Sequence, residues 1–418
     1  MLVTGFPTPD QPANGIFNLR AAKMLSESVD VNVIHLRAWK PQRRPFSISV
    51  LDGLQVITVA VPQIPGWGRF NIAAYEVLGW RLLRRLVKNC DLIHSVDLGF
   101  SGILGSAWGR LAGIGHITQI TTDVERTLRA WRKPPTRWQP HVHGVACNSH
   151  AIRMQFVNYF PRIPNVRSIY RGVDLTRYNP EGPIAGPLVN ETPVRYLYLG
   201  GFPDYRGIGH GANTKGGETL LAAWLAAERE LISAGASLLI GGPRATHSQL
   251  SRWLEKLRDA SRVHLIDRIR PDLVAAYIRA SDIVLAPSMQ EGLPNVVMEA
   301  SACGRPVFGS DVGGIPEVIV NKETGLVLPA GDVLIWKNAL MSYAQKLTEL
   351  KTMGTRARQR MEALFDSKKY APNMLDLYTA ALGKRFDLGE AEYDNQRNHF
   401  NRQRQLPGIR GGQHGWPD

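Results

Sequence analysis

The sequence predicts an α/β protein made of two doubly wound units that face each other across a cleft. Three observations carry that expectation: the length, an alternation of strand-like and helix-like segments, and a turn-rich break midway. At 418 residues the chain exceeds what one hydrophobic core organises, so two domains are expected. Short apolar runs alternate with helical spacing in both halves, the pattern of parallel strands joined by crossover helices. Residues 174–193 contain Asn179, Pro180, Gly182, Pro183, Gly186, Pro187 and Pro193, the best linker in the chain.

In the first unit the expected strands are Leu2–Thr4, Val31–Leu36, Val56–Val61, Asp91–Val96, His116–Ile120 and Val145–Asn148. Helical spacing covers Ile16–Ser28, Phe70–Lys88 and Leu98–Leu111. The alternation restarts with strands Val194–Leu199, Ser237–Ile240, Val263–Ile266, Ile283–Ala286 and Pro306–Gly309. Helices Glu218–Ser233, Ser248–Ala260, Asp272–Ala280 and Asn295–Cys303 lie between them. Two such units place ligand sites at strand C-terminal ends, and so at the cleft. The polar residues 384–418 read as a disordered tail.

A hydrophobic fraction of 44% and a charged fraction of 21% are those of a soluble globular protein. No run of 18 apolar residues and no basic-then-apolar N-terminus occurs, so neither a spanning helix nor a secretory signal is expected. Cys90, Cys147 and Cys303 are far apart, which points to buried thiols and a cytoplasmic location. The net charge of +14 sits on the first half: residues 1–180 hold 22 Lys and Arg against 10 Asp and Glu. A basic face suits nucleic acid, an anionic bilayer or a phosphorylated substrate. No zinc-finger, RNA-recognition or basic-zipper pattern is present, so nucleic acid is the weakest of the three.

The most informative segment is Ile283–Pro316, IVLAPSMQEGLPNVVMEASACGRPVFGSDVGGIP. A buried strand ends at Pro287, a loop carries Glu291-Gly292, and a helix starts near Asn295. A helix N-terminus offers unpaired N–H groups and a positive dipole end, a seat for an anion or sugar hydroxyls. Taken alone, the two glutamates read as an ordinary loop carboxylate and a salt-bridged helix carboxylate. In their context, Glu291 and Glu299, separated by seven residues, resemble the donor-binding signature of glycosyltransferase family 4. The resemblance extends to VTGFPTPDQPANGIF, DLIHSV, ACNSHAIR, IYRGVDLTRYNP, YLGGF, NTKGGETLLAAW, LLIGG, VHLIDRI and ETGLVLPAGD. That family is retaining and has the GT-B fold, two Rossmann-like domains facing a cleft with C-terminal helices crossing back. Mapped onto this chain, it implies an acceptor domain at 1–174, a linker at 175–193, a nucleotide-sugar domain at 194–366 and a crossing helix at 367–383.

The resemblance also implies roles. Glu291 would hold hydroxyls of the donor sugar and Glu299 the ribose. The loop Gly292-Leu293-Pro294 and the amides of Leu293, Asn295 and Val296 would face sugar and diphosphate, with backbone at Arg268 and Ile269 meeting the base. Lys215, in Asn-Thr-Lys-Gly-Gly, would offset charge on the departing diphosphate. Gly15 would let backbone approach the donor phosphates, with Asn14 as a cap of the following helix. Two departures stand out. The family's usual Arg after the second domain's first strand is replaced by Gly200-Gly201-Phe202, with Arg206 as a stand-in on a long glycine-rich loop. The family's usual His near the reacting sugar is replaced by Thr122, followed by Asp123. Both remain candidate sugar or acceptor contacts.

Asp123-Val124-Glu125 superficially resembles a metal-binding Asp-x-Asp, but without its context, so no metal or other cofactor is expected beyond the nucleotide-sugar donor itself. Phe70–Lys88 reads either as a crossover helix with one buried face or as an interfacial helix for an anionic membrane. Trp131, Arg132, Lys133 and Trp138 are candidates for an acceptor surface. The expectation is therefore a metal-independent, retaining glycosyltransferase acting on a glycan or lipid-linked acceptor, cytoplasmic and peripheral at the membrane. Within the family the opening segment most resembles teichuronic acid and exopolysaccharide enzymes. The alternatives are a nucleotide-sugar epimerase of the same fold and a non-catalytic nucleotide-sugar-binding protein.

Overall fold

Apolar runs too continuous for a half-exposed strand, such as the wholly buried Ile283–Ala286, demand helices on both faces of a sheet. The computed structural model satisfies that demand twice; it describes residues 1–11, 14–39, 44–61, 68–130, 141–191, 194–202, 214–242 and 248–383. Strands β1 Leu2–Val3, β2 Asn32–Ala38, β3 Phe46–Leu51, β4 Leu54–Val61, β5 Leu92–Val96, β6 Gly115–Ile120, β7 Gly144–Cys147 and β8 Val166–Ser168 form the first sheet. Its order is β3-β4-β2-β1-β5-β6-β7-β8, parallel except where β3 pairs antiparallel with β4. The second sheet holds β9 Arg195–Tyr198, β10 Ser237–Gly241, β11 Val263–Ile266, β12 Ile283–Ala286, β13 Val307–Ser310 and β14 Gly325–Leu328. All its pairings are parallel, in the order β11-β10-β9-β12-β13-β14. This is the doubly wound order, with its switch point between β9 and β12; in the first sheet the switch lies between β1 and β5.

The helices of the first unit are α1 Ile16–Ser26, α2 Gly68–Ala74, α3 Trp80–Lys88, α4 Phe100–Ala112, α5 Val124–Ala130 and α6 His150–Tyr159. Those that follow are α7 Gly217–Ser233, α8 Ser248–Leu254, α9 Val274–Arg279, α10 Asn295–Ala302, α11 Ile315–Val318, α12 Val333–Tyr343, α13 Leu347–Leu364 and α14 Tyr370–Leu382. The last one returns to the first sheet. A Cβ built on Gly144 would lie 3.1 Å from Leu377, and one on Gly115 only 2.0 Å from Leu382, so small residues on β6 and β7 let α14 dock. The Tyr370 hydroxyl donates to Gln119 at 2.9 Å, across 251 residues of sequence.

Several expectations need correction. Strands β3, β8 and β14 lie where none was expected. The expected helix Ser248–Ala260 stops at Leu254. The expected single helix Phe70–Lys88 is α2 and α3 joined by a π-turn at Tyr75–Gly79. Trp108 packs against that turn: its indole N–H donates to the Glu76 carbonyl, and its ring leaves a Cβ at Gly79 only 2.6 Å of room. The linker is pinned rather than loose, since the Arg279 guanidinium donates to the Pro183 carbonyl at 2.8 Å and the Ala185 amide to Ala276.

Burial also creates an acid sensitivity. Desolvation pushes the His116 imidazole down to about 3 and His35 to about 4, and holds His94 well below the ordinary histidine range. Below about pH 6.5 these histidines take up protons once unfolded but stay neutral when folded. Stability is therefore expected to fall as pH drops from about 6.5 towards 4, by several kcal/mol in total. Urea midpoints across that range check it; a flat profile would contradict it.

Candidate active site

The loops at the C-terminal ends of β6, β9 and β12 meet, and α1, which follows the β1 loop, reaches α10 beside them. Glycines at their tightest points admit no other residue without strain. Gly15, at φ +65, caps α1, and a Cβ there would lie 2.3 Å from the Gly5 carbonyl carbon. Asn14, expected as the cap, makes no side-chain cap bond; its amide reaches Gln11 instead, and Gly15 itself is the N-cap. After β9, Gly216 at φ +68 presses on the carbonyl of Pro287, to which a Cβ would come within 1.6 Å. The amides of Met289 and Gln290 donate to the Thr214 carbonyl at 2.9 and 3.3 Å, locking the two loops together.

That lock sets Lys215 beside Glu291. Lys215 Nζ lies 2.6 Å from Glu291 Oε1, which also accepts from Ser288 Oγ at 2.8 Å. The Glu291 side chain is only 9% exposed whereas Lys215 is 47% exposed, so the carboxylate is enclosed and the lysine is open to solvent. Under them, the buried Tyr198 hydroxyl donates to the Gly201 carbonyl, and burial beside Glu291 raises its pKa. The next residues lead into α10, whose N-cap Pro294 supplies no side-chain cap. The amides at its first turn, Asn295 and Val296, are thus oriented donors at a positive helix end.

The first unit reaches this loop directly. A Cβ on Gly292 would lie 2.3 Å from the Thr121 carbonyl oxygen, so the chain touches across the cleft where only glycine fits. On its other side, the Gly314 amide donates to the Gly292 carbonyl at 2.6 Å. Thr122 borders this contact and is exposed. Asp123 also serves the fold. Its Oδ1 accepts from the Arg126 amide at 2.8 Å, at the start of α5, and its Oδ2 from Gln155 at 3.0 Å.

Glu299, one turn into α10, points into a cavity of about 300 Å³ between α1 and α10. Burial raises its pKa, against the pull of the Tyr178 hydroxyl and of Arg20, whose Nη1 is 3.8 Å away. The same cavity is lined by Arg20, Lys23, Arg171 and Arg177 against the carboxylates Glu299 and Asp174, so cations outnumber acids around it. Arg171 is held by neutral acceptors: Nη2 donates to Asn18 at 3.1 Å and Gln119 at 3.0 Å, over the Phe17 ring. A second cavity, about 410 Å³, opens at the ends of β1, β2 and β5 and is lined by Thr4, Asn14, His35, Arg37, Tyr75 and Asp97. Asp97 has φ 101, a strained backbone for a residue with a side chain. Burial raises its carboxyl pKa.

Arg268 is exposed and Ile269 half-buried after β11, at the same edge of the second sheet but on neither cavity wall. Arg206 and most of its loop, Trp131, Arg132, Lys133, Trp138 and the tail 384–418 lie outside the described residues. Among the described residues no group of three His, Cys, Asp or Glu is placed to hold a metal ion.

One residue that the motif reading passed over joins the two units. Glu317 of α11 accepts from the amides of His150 at 2.7 Å and Ala151 at 2.8 Å, the first turn of α6 in the first unit. Tyr170 Oη donates to it at 2.8 Å. A carboxylate on a helix N-terminus contributes about 1 to 2 kcal/mol in such a partly buried setting. Glu317→Gln is therefore expected to lower stability by about that much, and to lower turnover about tenfold or more by loosening the cleft. Melting curves and steady-state rates on the variant check this; an unchanged kcat would contradict the positioning role. The signal available in sequence was the GGIPEVI string itself, whose glutamate follows two glycines that the fold jams against the Glu291-Gly292 backbone.

The geometry of two doubly wound domains meeting at a helix N-terminus, a lysine and two glutamates has parallels. Residues 16–177 match the model described as Glycosyltransferase Family 4, and residues 207–346 that described as Glycosyl transferases group 1. The D-inositol 3-phosphate glycosyltransferase of Saccharomonospora viridis is 29% identical over 314 residues, 70% of this chain and 70% of that protein. Its counterpart in Corynebacterium glutamicum is 26% identical over 406 residues, 89% of this chain and 92% of that protein. At 30% identity, the match to the Rhodococcus opacus enzyme covers 58% of this chain and spans only 54% of that protein's length. Sucrose-phosphate synthase from Thermosynechococcus elongatus superposes with a TM-score of 0.70 at 20% identity, covering 91% of this chain and 98% of that one. Anabaena HepE in complex with UDP gives 0.68 at 15% identity, covering 91% and 99%.

Fold and matches together define a glycosyltransferase with the GT-B fold. The family 4 description matches the first half of the chain and the group 1 description the second. The expected likeness to teichuronic acid and exopolysaccharide enzymes finds no support, since these curated relatives are named for an inositol phosphate.

Proposed function

We propose that the protein is a retaining glycosyltransferase that moves a sugar from a nucleoside diphosphate to a hydroxyl of a phosphorylated polyol or glycan. The observation that carries this reading is the Lys215–Glu291 pair at the mouth of α10, with Glu299 one turn further in. Glu291 accepts hydrogen bonds from the sugar hydroxyls, and Glu299 from the ribose. The diphosphate sits on the Asn295 and Val296 amides, close to Gly15, and Lys215 swings from Glu291 onto its oxygens. That arrangement neutralises the leaving group without a metal. In the reaction the bond from the sugar's anomeric carbon to the diphosphate oxygen breaks. The acceptor oxygen bonds to the same face of that carbon, and its proton passes to the departing phosphate. No protein base is required at Thr122, which removes the difficulty raised by the missing histidine.

The acceptor lies in the cavity lined by Arg37, Tyr75 and Asp97, where a buried carboxyl on strained backbone is preorganised to orient a hydroxyl. A phosphorylated acceptor suits the basic first half of the chain and the inositol phosphate named for the curated relatives. Surface-polysaccharide assembly is a narrower version of the same reading that those relatives do not favour.

A thermal-shift panel of UDP-, GDP- and ADP-sugars tests the donor half, because a ligand that binds only the folded state raises the melting temperature. At least one nucleotide sugar is expected to do so, and transfer to inositol 3-phosphate or a phosphorylated glycan to follow. Conversion of the donor with no acceptor present would point to an epimerase, and binding without turnover to a regulator.

A further inference from the structure

The α2–α3 segment has two apolar faces, and only one is used. Tyr75, Leu83 and Val87 pack into the first unit's core with Ile57 and Val59 of β4. On the opposite side Val77 is 63%, Leu78 47% and Leu82 55% exposed. Leu78 and Leu82 are about one turn apart and Val77 adjoins them, so the three form one stripe. The exposed cations Arg81, Arg84 and Arg85 and the neighbouring Lys88 lie along and beside it, and none of the four is in an ion pair among the described residues.

The neighbouring edge strand adds to this surface. In β3 the apolar residues Phe46, Ile48 and Val50 alternate with serines, and the apolar side is bare: Ile48 is 57% and Val50 73% exposed. Phe46 stands opposite Val59, and Ile48 opposite Ile57. Directly opposed residues of an antiparallel pair point to the same face. Since Ile57 and Val59 pack with Tyr75 and Leu83, the bare side of β3 faces the same way as the α2–α3 layer. Exposed apolar surface of this kind, spread over a helix and a strand, marks an interaction site.

We infer that this surface of the first unit docks on an anionic lipid bilayer. Apolar side chains enter the interface while Arg81, Arg84, Arg85 and Lys88 meet acidic head-groups. The charge decides between occupants. Residues 74–88 carry four cations and the single acid Glu76, so a second copy seated on this face would bring like charges together. A bilayer with acidic lipids is complementary to both the apolar and the basic parts. Docking here also places the acceptor cavity close to the membrane, because Tyr75 on the same helical segment lines it. The acceptor is then one carried on lipid, an extension that rests on the transferase reading, whereas the docking itself does not.

Vesicle flotation of the full chain tests the inference. The protein is expected to float with phosphatidylcholine vesicles containing a third phosphatidylglycerol, and weakly or not at all with phosphatidylcholine alone. Raising the salt concentration should weaken binding. Leu78→Asp with Leu82→Asp, and separately Arg81→Ser with Arg85→Ser, should each reduce the floated fraction about tenfold. These exposed changes should leave the melting temperature and transfer to a soluble acceptor unchanged. Failure of the wild type to float, or floating of both variants as complete as that of the wild type, overturns the inference, as does a concentration-dependent dimer that either variant abolishes. A result of that kind leaves the transferase reading standing, while loss of transfer with intact floating overturns only that reading.

Discussion

Glu291→Ala is expected to leave the fold intact and to lower transfer at least about a hundredfold, some 3 kcal/mol of transition-state stabilisation. The carboxylate is buried to 9% exposure, held by Ser288 and Lys215, and therefore aimed before any substrate arrives. Removing it takes away the acceptor for the sugar hydroxyls and the resting partner of Lys215. The cost to stability is small, because the partner is 47% exposed and solvent satisfies an ammonium at that position. Glu291→Gln separates the two contributions: it keeps an acceptor oxygen but loses the ion pair. If the ion pair is only the resting seat of Lys215, the glutamine variant retains more activity than the alanine variant. Full activity in Glu291→Ala would falsify the assignment of this loop to the sugar.

Gly216→Ala is the largest expected change in stability. A Cβ at this position would come within 1.6 Å of the Pro287 carbonyl oxygen, and the backbone stands at φ +68. Left-handed backbone costs a residue with a side chain about 1 to 2 kcal/mol, and the clash adds displacement of one loop against the other. A loss of about 3 kcal/mol or more follows, with turnover falling because Lys215 and Glu291 are held apart. Gly113→Ala is the internal control: its φ is +70, but nothing lies within 4 Å of the added Cβ. The difference between the two melting shifts isolates the contact between the β9 and β12 loops. Equal shifts would show that the contact carries no strain.

Much of the fold was legible because parallel strands and amphipathic helices write different periods into the sequence. The strand Ile283–Ala286 was bounded to the residue, since β12 is buried on both faces and is followed by a proline. Strand β3 was missed for the opposite reason: its apolar side faces out, so its alternation led to no core. The hairpin turn before β4 was nevertheless present as Asp52-Gly53, with φ 49 and 81. The π-turn at Tyr75–Gly79 was not legible, because the residue packed against it, Trp108, lies far along the chain. Within the candidate site, Glu291, Lys215 and Gly292 were singled out from short sequence patterns, and the fold sets Lys215 directly against Glu291. Glu317, Tyr178 and Arg171 were not, because their roles come from partners that only the folded chain supplies. Glu317 holds the first turn of a helix 166 to 167 residues away. Asp123 shows the converse, a carboxylate eye-catching in sequence that the fold uses to start α5.

A nucleotide sugar bound between the two units, with its diphosphate on the N-terminus of α10, is the claim on which the proposed chemistry depends. A crystal structure with the donor bound tests it most directly. Sugar hydroxyls are expected within hydrogen-bond distance of Glu291, the ribose on Glu299, and Lys215 Nζ moved from the carboxylate to a phosphate oxygen. A nucleotide seated elsewhere, with the Lys215–Glu291 pair still closed at its present 2.6 Å, would contradict it.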